Sequence, residues 1–208
     1  MLKEIYITAS CVISNQVIYK NEQPVFEDKE TDLSALLVAA YRHFAIAYPK
    51  FFKMDTLSKM GFLAAELLLK DNWDPEKYPP EQVAVVLANA SSSLETDIKY
   101  FDTTKDIASP ALFVYTLPNI VMGEICIRHH FKGENAFFIF AEFDTGFFEQ
   151  YVRLLFNNNI LQACICGWVE MSGDQYKTVL FLVETDTSNS SILFTKENIN
   201  KTYQLYNG

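Results

Sequence analysis

The side chains best suited to covalent or metal chemistry in this 208-residue chain are its four thiols, Cys11, Cys126, Cys164 and Cys166. A thiol acts as a nucleophile or a metal ligand when it is ionised, which requires a polar or electropositive setting. All four stand in apolar stretches of a chain long enough to fold without disulfides, so we expect buried, reduced thiols. Cys164 and Cys166 could begin a zinc site, but no second pair follows. The sequence therefore predicts no metal site.

Serine and histidine clusters offer two further candidates. Ser91, Ser92 and Ser93 follow an apolar run, but neither a Gly-rich cradle nor the lysine of a phosphate-binding loop accompanies them, so they indicate a turn and a helix cap. His129 and His130 end a predicted helix, and adjacent helical residues point about 100° apart, which prevents easy chelation of one metal. We expect neither cluster to be catalytic and no cofactor to be bound.

The elements that position these residues alternate along the chain. Apolar runs predict strands at 5–12, 83–87, 136–140, 161–169 and 176–183. Helical spacing predicts helices at 33–48, 55–68, 117–131 and 145–157, with a short helix ending near Tyr100. This order indicates an α/β fold with a five-stranded, mixed, mostly parallel sheet flanked by helices, whose last strand is antiparallel. We expect one domain over residues 1–185 and a C-terminal tail over 186–208.

Several short motifs occur in a fixed order in the second half of the chain. Thr116-Leu-Pro-Asn119 precedes Gly123-Glu124 and Ile127-Arg128; Lys132-Gly133 then leads through a strand and a helix to Gly167-Trp-Val-Glu170. This order resembles the N-terminal half of a β-ketoacyl-ACP synthase, a family with the thiolase-like fold. The resemblance covers about residues 1–185 and implies a thiolase-like half-fold.

The same resemblance implies that the nucleophile is missing. In the family, the strand after the Lys-Gly pair delivers a cysteine at a strand-to-helix elbow that reads roughly Thr-Ala-Cys-Ala-Thr-Gly. Alignment on Thr145-Gly146 puts Phe143 at the cysteine position, between Glu142 and Asp144. The family's two histidines come from the second half of the fold, and no histidine follows Phe143 here. Condensation needs the thiolate and those oxyanion-stabilising groups, so no catalytic residue is expected.

Three functions stay open at this point. The first is a non-catalytic synthase-like protein, comparable with chain-length factors, that acts with a full synthase or acyl carrier protein in fatty-acid, polyene or polyketide biosynthesis. The second is a divergent acyltransferase or thioester hydrolase on carrier-bound acyl chains, which would use Glu142 or Cys126. The third is a homo-oligomeric scaffold.

Composition limits the partners. The net charge of −9 and a pI near 4.8 argue against nucleic acid and anionic membranes, because both attract basic surfaces. The first ten residues lack a continuous apolar segment, and no run of about 18 apolar residues exists. We expect a cytoplasmic protein.

A partner surface follows from the resemblance and from hydrophobicity. In the complete family fold, the strand before the nucleophile helix pairs across the dimer, which assigns Phe137, Phe138, Ile139 and Phe140 to a sheet edge. The following helix has seven large apolar residues between Phe147 and Phe156, including Phe148 and Tyr151, and exposing them would cost several kcal/mol. We therefore expect a homodimer, or a heteromer with a synthase-like chain, that covers both elements.

Overall fold

One mixed sheet of eight strands carries the fold, and the computed structural model describes residues 3–185 and 191–206. The strands are β1 Tyr6–Ser14, β2 Val17–Lys20, β3 Gln23–Glu27, β4 Val83–Asn89, β5 Asn135–Ile139, β6 Ala163–Ser172, β7 Gln175–Glu184 and β8 Ile192–Leu193. Their order is β3-β2-β1-β7-β6-β4-β5, and β8 pairs with β1. Strand β5 therefore forms one edge of the sheet.

Five of these strands match the predicted ones and confirm a mixed sheet. Strand β4 is parallel to both β5 and β6, whereas β7 is antiparallel to its neighbours β6 and β1. Strands β1, β4, β5 and β6 consequently run in one direction and β7 in the other, as the sequence predicted.

The prediction of five strands was too low, because β2, β3 and β8 were missed. Strands β1, β2 and β3 are joined by two-residue turns at Asn15-Gln16 and Asn21-Glu22, and all four residues have positive φ. Such turns usually read Asn-Gly, because glycine adopts positive φ at no steric cost. Gln16 and Glu22 occupy the positions where glycine is expected, which is why the two hairpins were predicted to be a polar loop.

The helices are α1 Leu33–His43, α2 Thr56–Leu69, α3 Leu94–Thr103, α4 Pro110–Phe113, α5 Ile120–His129, α6 Thr145–Asn157 and α7 Lys196–Gln204. Short 3-10 helices occupy Pro49–Lys53, Pro80–Gln82 and Val114–Thr116. Helix α6 agrees with its predicted bounds. Helix α5 is shorter than predicted: it begins after Asn119 and ends at His130, which takes the left-handed conformation with φ of 60°.

The sheet separates two apolar clusters. On one face, α1, α2 and α5 pack around residues such as Leu37, Phe62 and Ile125, all of them fully buried. On the other face, α6 and α7 pack around Phe148, Phe156 and other side chains of the second cluster. Helix α2 has eleven buried residues, which makes it the central helix of the first face.

Residues 191–206, predicted as a tail, pack against the rest of the chain. Ile192 pairs with Ile7 through β8, and Phe194 and Ile199 are fully buried in the second cluster. Helix α7 lies against α6. The division after residue 185 stays a prediction, since residues 186–190 lie outside the described part of the chain.

Within the described ranges, no single helix is long and apolar enough to cross a membrane. The segments Pro110–Thr116 and Ile120–His129 reach the length and apolar composition of a membrane span only when they are taken together, and they are bent by 96° relative to each other.

Candidate functional site

The junction between β5 and α6 is the position at which the sequence predicted a missing nucleophile. The end of β5 is fixed by the backbone N–H of Phe140, which donates to the carbonyl of Asn89 at the end of β4 (3.0 Å). Helix α6 begins after Asp144, whose carboxylate accepts a hydrogen bond from the backbone N–H of Phe147 (2.8 Å). An Asp in this position satisfies one of the free N–H groups of the first turn. Phe143 directly precedes this cap, so it lies at a strand-to-helix junction as predicted.

Phe143 faces the interior and is only 8% exposed. Its ring centroid lies 5.1 Å from that of Phe148 on α6, 5.6 Å from that of Trp168 on β6 and 5.1 Å from that of Tyr203 on α7. We call these four residues the aromatic cluster. Its four rings pack against one another, so the junction is filled rather than open.

The neighbouring carboxylates differ in what they do. Asp144 is exposed and serves as the helix cap, while Glu142 is exposed and makes no hydrogen bond among those described. Burial is the main reason that the pKa of Tyr203 is raised, and the charges of Glu170 and Glu142 add to it. Glu142 therefore lies close to the aromatic cluster but on its solvent side.

Three of the four thiols are in settings that raise their pKa and so oppose ionisation. Burial raises the pKa of Cys11 to about 12 and that of Cys126 to about 11. Cys166 is fully buried next to Cys164, and burial raises its pKa as well. A nucleophilic cysteine needs the opposite shift. Cys126 is half-buried, with its Sγ 3.1 Å from Oδ1 of Asn135.

His129 belongs to an ionic group on the opposite face of the sheet. Its Nε2 lies 2.8 Å from Oε1 of Glu66, and Nε of Arg128 lies 3.0 Å from the same oxygen. These contacts join α5 to α2, and His129 also stacks on Phe131 of the first cluster, whereas Phe143 belongs to the second cluster on the other face of the sheet. In the described part of the chain, no group of three His, Cys, Asp or Glu side chains could hold a metal ion.

The residues predicted to form an interface fall into three groups. Ile139 on β5 is 51% exposed, and Phe148 is 1% exposed. The others are half-buried: Phe137, Phe138, Phe140, Phe147 and Tyr151. Phe148 therefore packs inside the chain and offers no surface to a partner, whereas the rings of Phe138 and Phe147 pack edge to face at 4.8 Å beside the sheet edge.

Helix α6 is less exposed than the sequence indicated. Phe148, Val152, Leu155 and Phe156 are buried within the chain, and α7 supplies part of the cover. Leu154 is the large apolar side chain of α6 that points to solvent, at 55% exposure. The sequence prediction that α6 needs a partner chain to cover it treated residues 186–208 as a tail and so did not count the cover that α7 supplies.

A second apolar surface was missed by sequence reasoning. Leu94, Ile98 and Phe101 follow one another at positions i, i+4 and i+7 of α3, and all three are exposed. That spacing marks one stripe of a helix, and it was visible in the sequence. It would ordinarily be read as a core-facing stripe, which is why it gave no indication of a surface.

Comparisons with known proteins identify the fold. No family model matches the chain, and no curated protein matches its sequence. Solved structures do match. The ishigamide ketosynthase/chain length factor has a TM-score of 0.61 at 18% identity, over 87% of this chain and 62% of that one. The fold is the thiolase-like fold of the ketosynthases.

Two further ketosynthase structures agree. AntDE:AntF, a type II polyketide synthase acyl-carrier protein in complex with its ketosynthase, matches with a TM-score of 0.60 at 14% identity, over 88% of this chain and 62% of that one. The ketosynthase ApeO in complex with its chain length factor ApeC, from Xenorhabdus doucetiae, matches with a TM-score of 0.56 at 11% identity, over 90% of this chain and 81% of that one. The chain thus spans less than two thirds of the length of the first two ketosynthase chains. These values confirm the resemblance at the level of the fold.

Proposed function

We propose that this chain is a non-catalytic, chain-length-factor-like partner of a full β-ketoacyl synthase. The observation that carries the proposal is the buried Phe143 at the β5–α6 junction of a ketosynthase fold. Phenylalanine cannot form a thioester, and its ring is enclosed by Phe148, Trp168 and Tyr203. Structures with the same fold include a ketosynthase in complex with its chain length factor. A partner role therefore agrees with the fold and with the local packing.

The contact that we propose for this partner is the open edge of β5. Hydrogen bonds from Val85 N–H to Glu134 and from Phe140 N–H to Asn89 show which residues face β4. Because the backbone groups of successive residues in a strand point to opposite sides, the N–H and C=O groups of Asn135, Phe137 and Ile139 point away from β4. No strand lies beyond β5 among the residues that the structure describes. An exposed edge of this kind readily pairs with a second chain.

The partner is a synthase-like chain in this proposal, with acyl carrier protein as a second participant. One of the matched structures holds a carrier protein together with its ketosynthase. The thiol setting adds support for a non-catalytic role, because burial raises the pKa of Cys126 to about 11. A cytoplasmic location is part of the same proposal.

Co-expression with the full-length β-ketoacyl synthase of the source organism tests the proposal. We expect the two chains to co-purify, and we expect Ile139→Asp on the β5 edge to weaken the complex at least tenfold. Leu193→Asp is the matched control, since Leu193 is 44% exposed on β8, away from β5. Co-purification that fails for the wild type, or a complex insensitive to Ile139→Asp, would contradict the proposed contact.

The catalytic half of the proposal is tested separately. The purified chain alone, incubated with acyl and malonyl carrier proteins, should give no 3-oxoacyl product. Product formation that survives re-purification and is lost in a Cys126→Ala variant would overturn the non-catalytic assignment in favour of thiol chemistry.

A further inference from the structure

Lys177 is a half-buried lysine on the second face of the sheet, outside the junction described above. It lies on β7 directly opposite Glu170 of β6, so the two side chains share that face. Its Nζ donates to the carbonyl of Tyr203 on α7 (2.6 Å) and lies 4.3 Å from the centroid of the Tyr203 ring. The amine is therefore held between the sheet and α7 instead of extending into solvent.

An open cleft gives access to this lysine from solvent. The cleft has a volume of about 540 Å³, and Lys177 lines it together with Asn15, Gln175 and Tyr206. Sites that hold small molecules commonly have volumes of this size. Most of the lining residues are polar, which suits a short acyl group better than a long hydrocarbon chain.

The surroundings of Lys177 favour its neutral form, because burial lowers its pKa to about 8. The ionisable groups around it are Glu170, Asp174, Tyr203 and Tyr206. The carboxylate of Glu170 accepts hydrogen bonds from backbone N–H groups just after β4, and Asp174 is exposed. Burial raises the pKa of both tyrosines, so their hydroxyls stay neutral. At pH 7.5, about a quarter of a lysine with a pKa near 8 is neutral, against about 0.1% of a lysine with the ordinary value.

A neutral, partly desolvated lysine is a nucleophile toward acyl thioesters. The nitrogen lone pair attacks the thioester carbonyl carbon, so that a C–N bond forms. The C–S bond breaks and the sulfur leaves with its electron pair. The thiolate then takes up the proton that the amine loses. The products are an amide on Nζ and a free thiol, and the reaction needs neither an oxidant nor a metal.

We infer that Lys177 is a self-acylation site, at which an acyl thioester entering the cleft transfers a short acyl group to Nζ. The reaction is stoichiometric, with one acyl group for each chain, and it needs no synthase partner, so the inference goes beyond the proposed function. The amide is uncharged, so an acylated Lys177 loses its cation–π contact with Tyr203. Acylation therefore weakens one of the contacts that hold α7 on the sheet.

The test incubates the purified chain with the butyryl thioester of N-acetylcysteamine at pH 7.5 and measures butyrylation of each lysine by peptide mass spectrometry. Lys53 is the exposed control. Lys20 is the matched control, since burial lowers its pKa too, while the charge of Asp71 opposes that shift. We expect Lys177 to react at least tenfold faster than either control. Its initial rate should level off above about pH 8.5, and its advantage should disappear in the chain unfolded by urea, because burial is then lost.

Each outcome decides the inference. A rate at Lys177 no higher than that at Lys53 in the folded chain would overturn it. An advantage that persists in urea would also overturn it, because it would come from the local sequence and not from the fold. Butyryl-loaded acyl carrier protein is the second donor: faster reaction from it than from the small thioester would support the inference with a carrier-bound source, and reaction from the small thioester alone would support it with a free one. Either result leaves the proposed synthase contact standing.

Discussion

Replacing Phe143 tests whether the junction is a packed core position or a vacated reaction centre. Phe143 is 8% exposed and contacts three other aromatic rings. Truncation of a buried Phe to Ala costs about 3–5 kcal/mol, and the cost is lower where neighbours can collapse into the cavity. Tyr203, one of these three rings, is only half-buried, so the site borders on solvent and the cost should lie at the low end of that range. We therefore expect Phe143→Ala to lower the free energy of unfolding by about 3 kcal/mol.

Urea unfolding measures this change, with fluorescence as the probe because Trp168 is part of the aromatic cluster. Glu142→Ala is the control, since Glu142 is the exposed neighbour and surface substitutions usually change stability by less than about 0.5 kcal/mol. A loss below about 1 kcal/mol for Phe143→Ala would refute the packing argument. Phe143→Cys extends the test: it should also destabilise the chain and form no 3-oxoacyl product, because a thiol alone lacks the groups that stabilise the enolate and oxyanion.

Three further predictions concern buried polar groups. Glu124 is 3% exposed, and its Oε1 lies 2.8 Å from Nζ of the half-exposed Lys50. Lys50→Met should destabilise the chain by about 2–4 kcal/mol, and by more than Glu124→Gln does, because only Lys50→Met leaves a buried charge without its ion-pair partner. Chemical denaturation of the two variants makes the comparison. The thiols should react slowly with a disulfide reagent in the native chain at pH 8 and quickly in the chain unfolded by urea. The reason is that burial raises the pKa of Cys11 to about 12 and that of Cys126 to about 11. Equal rates in the native and the unfolded chain would contradict this prediction. Burial lowers the pKa of Lys177 from 10.5 to about 8, so between these pH values the unfolded chain binds more protons than the folded chain. The stability of the wild type relative to Lys177→Met should therefore rise from pH 8 to pH 10. A flat or falling difference would refute the lowered pKa of Lys177.

The parts of the fold that the sequence predicted are those set by strong local signals. The run Val83 to Leu87 is apolar on both faces and became the fully buried strand β4. Asp55 and Asp144 each cap the helix that was predicted to follow them, with the carboxylate accepting a backbone N–H. These signals need no knowledge of the rest of the chain, so they could be read directly.

The parts that could not be predicted depend on contacts between distant residues. The segment 196–204 has few apolar residues and looks like a polar tail, yet Ile199 and Tyr203 pack on the second cluster once β8 pairs with β1. The outward orientation of α3 follows from the contact between Thr96 and Asp55, which are 41 residues apart. Hydrophobic periodicity reports which residues share a face, but not which way that face turns.

The position of α7 changes where a partner chain should be sought. Without it, the apolar face of α6 would require cover from another molecule, since burial of each large side chain contributes about 1.5–3 kcal/mol. The described chain supplies that cover itself: Arg153 on α6 donates to the carbonyl of Phe194 (2.8 Å), and Lys177 on β7 donates to the carbonyl of Tyr203 (2.6 Å). These bonds fix the last segment over the aromatic cluster and leave little apolar area there for a second chain. Under the proposed function, a synthase-like partner is therefore expected at the β5 edge, and substitutions on the solvent face of α6 should leave its binding unchanged.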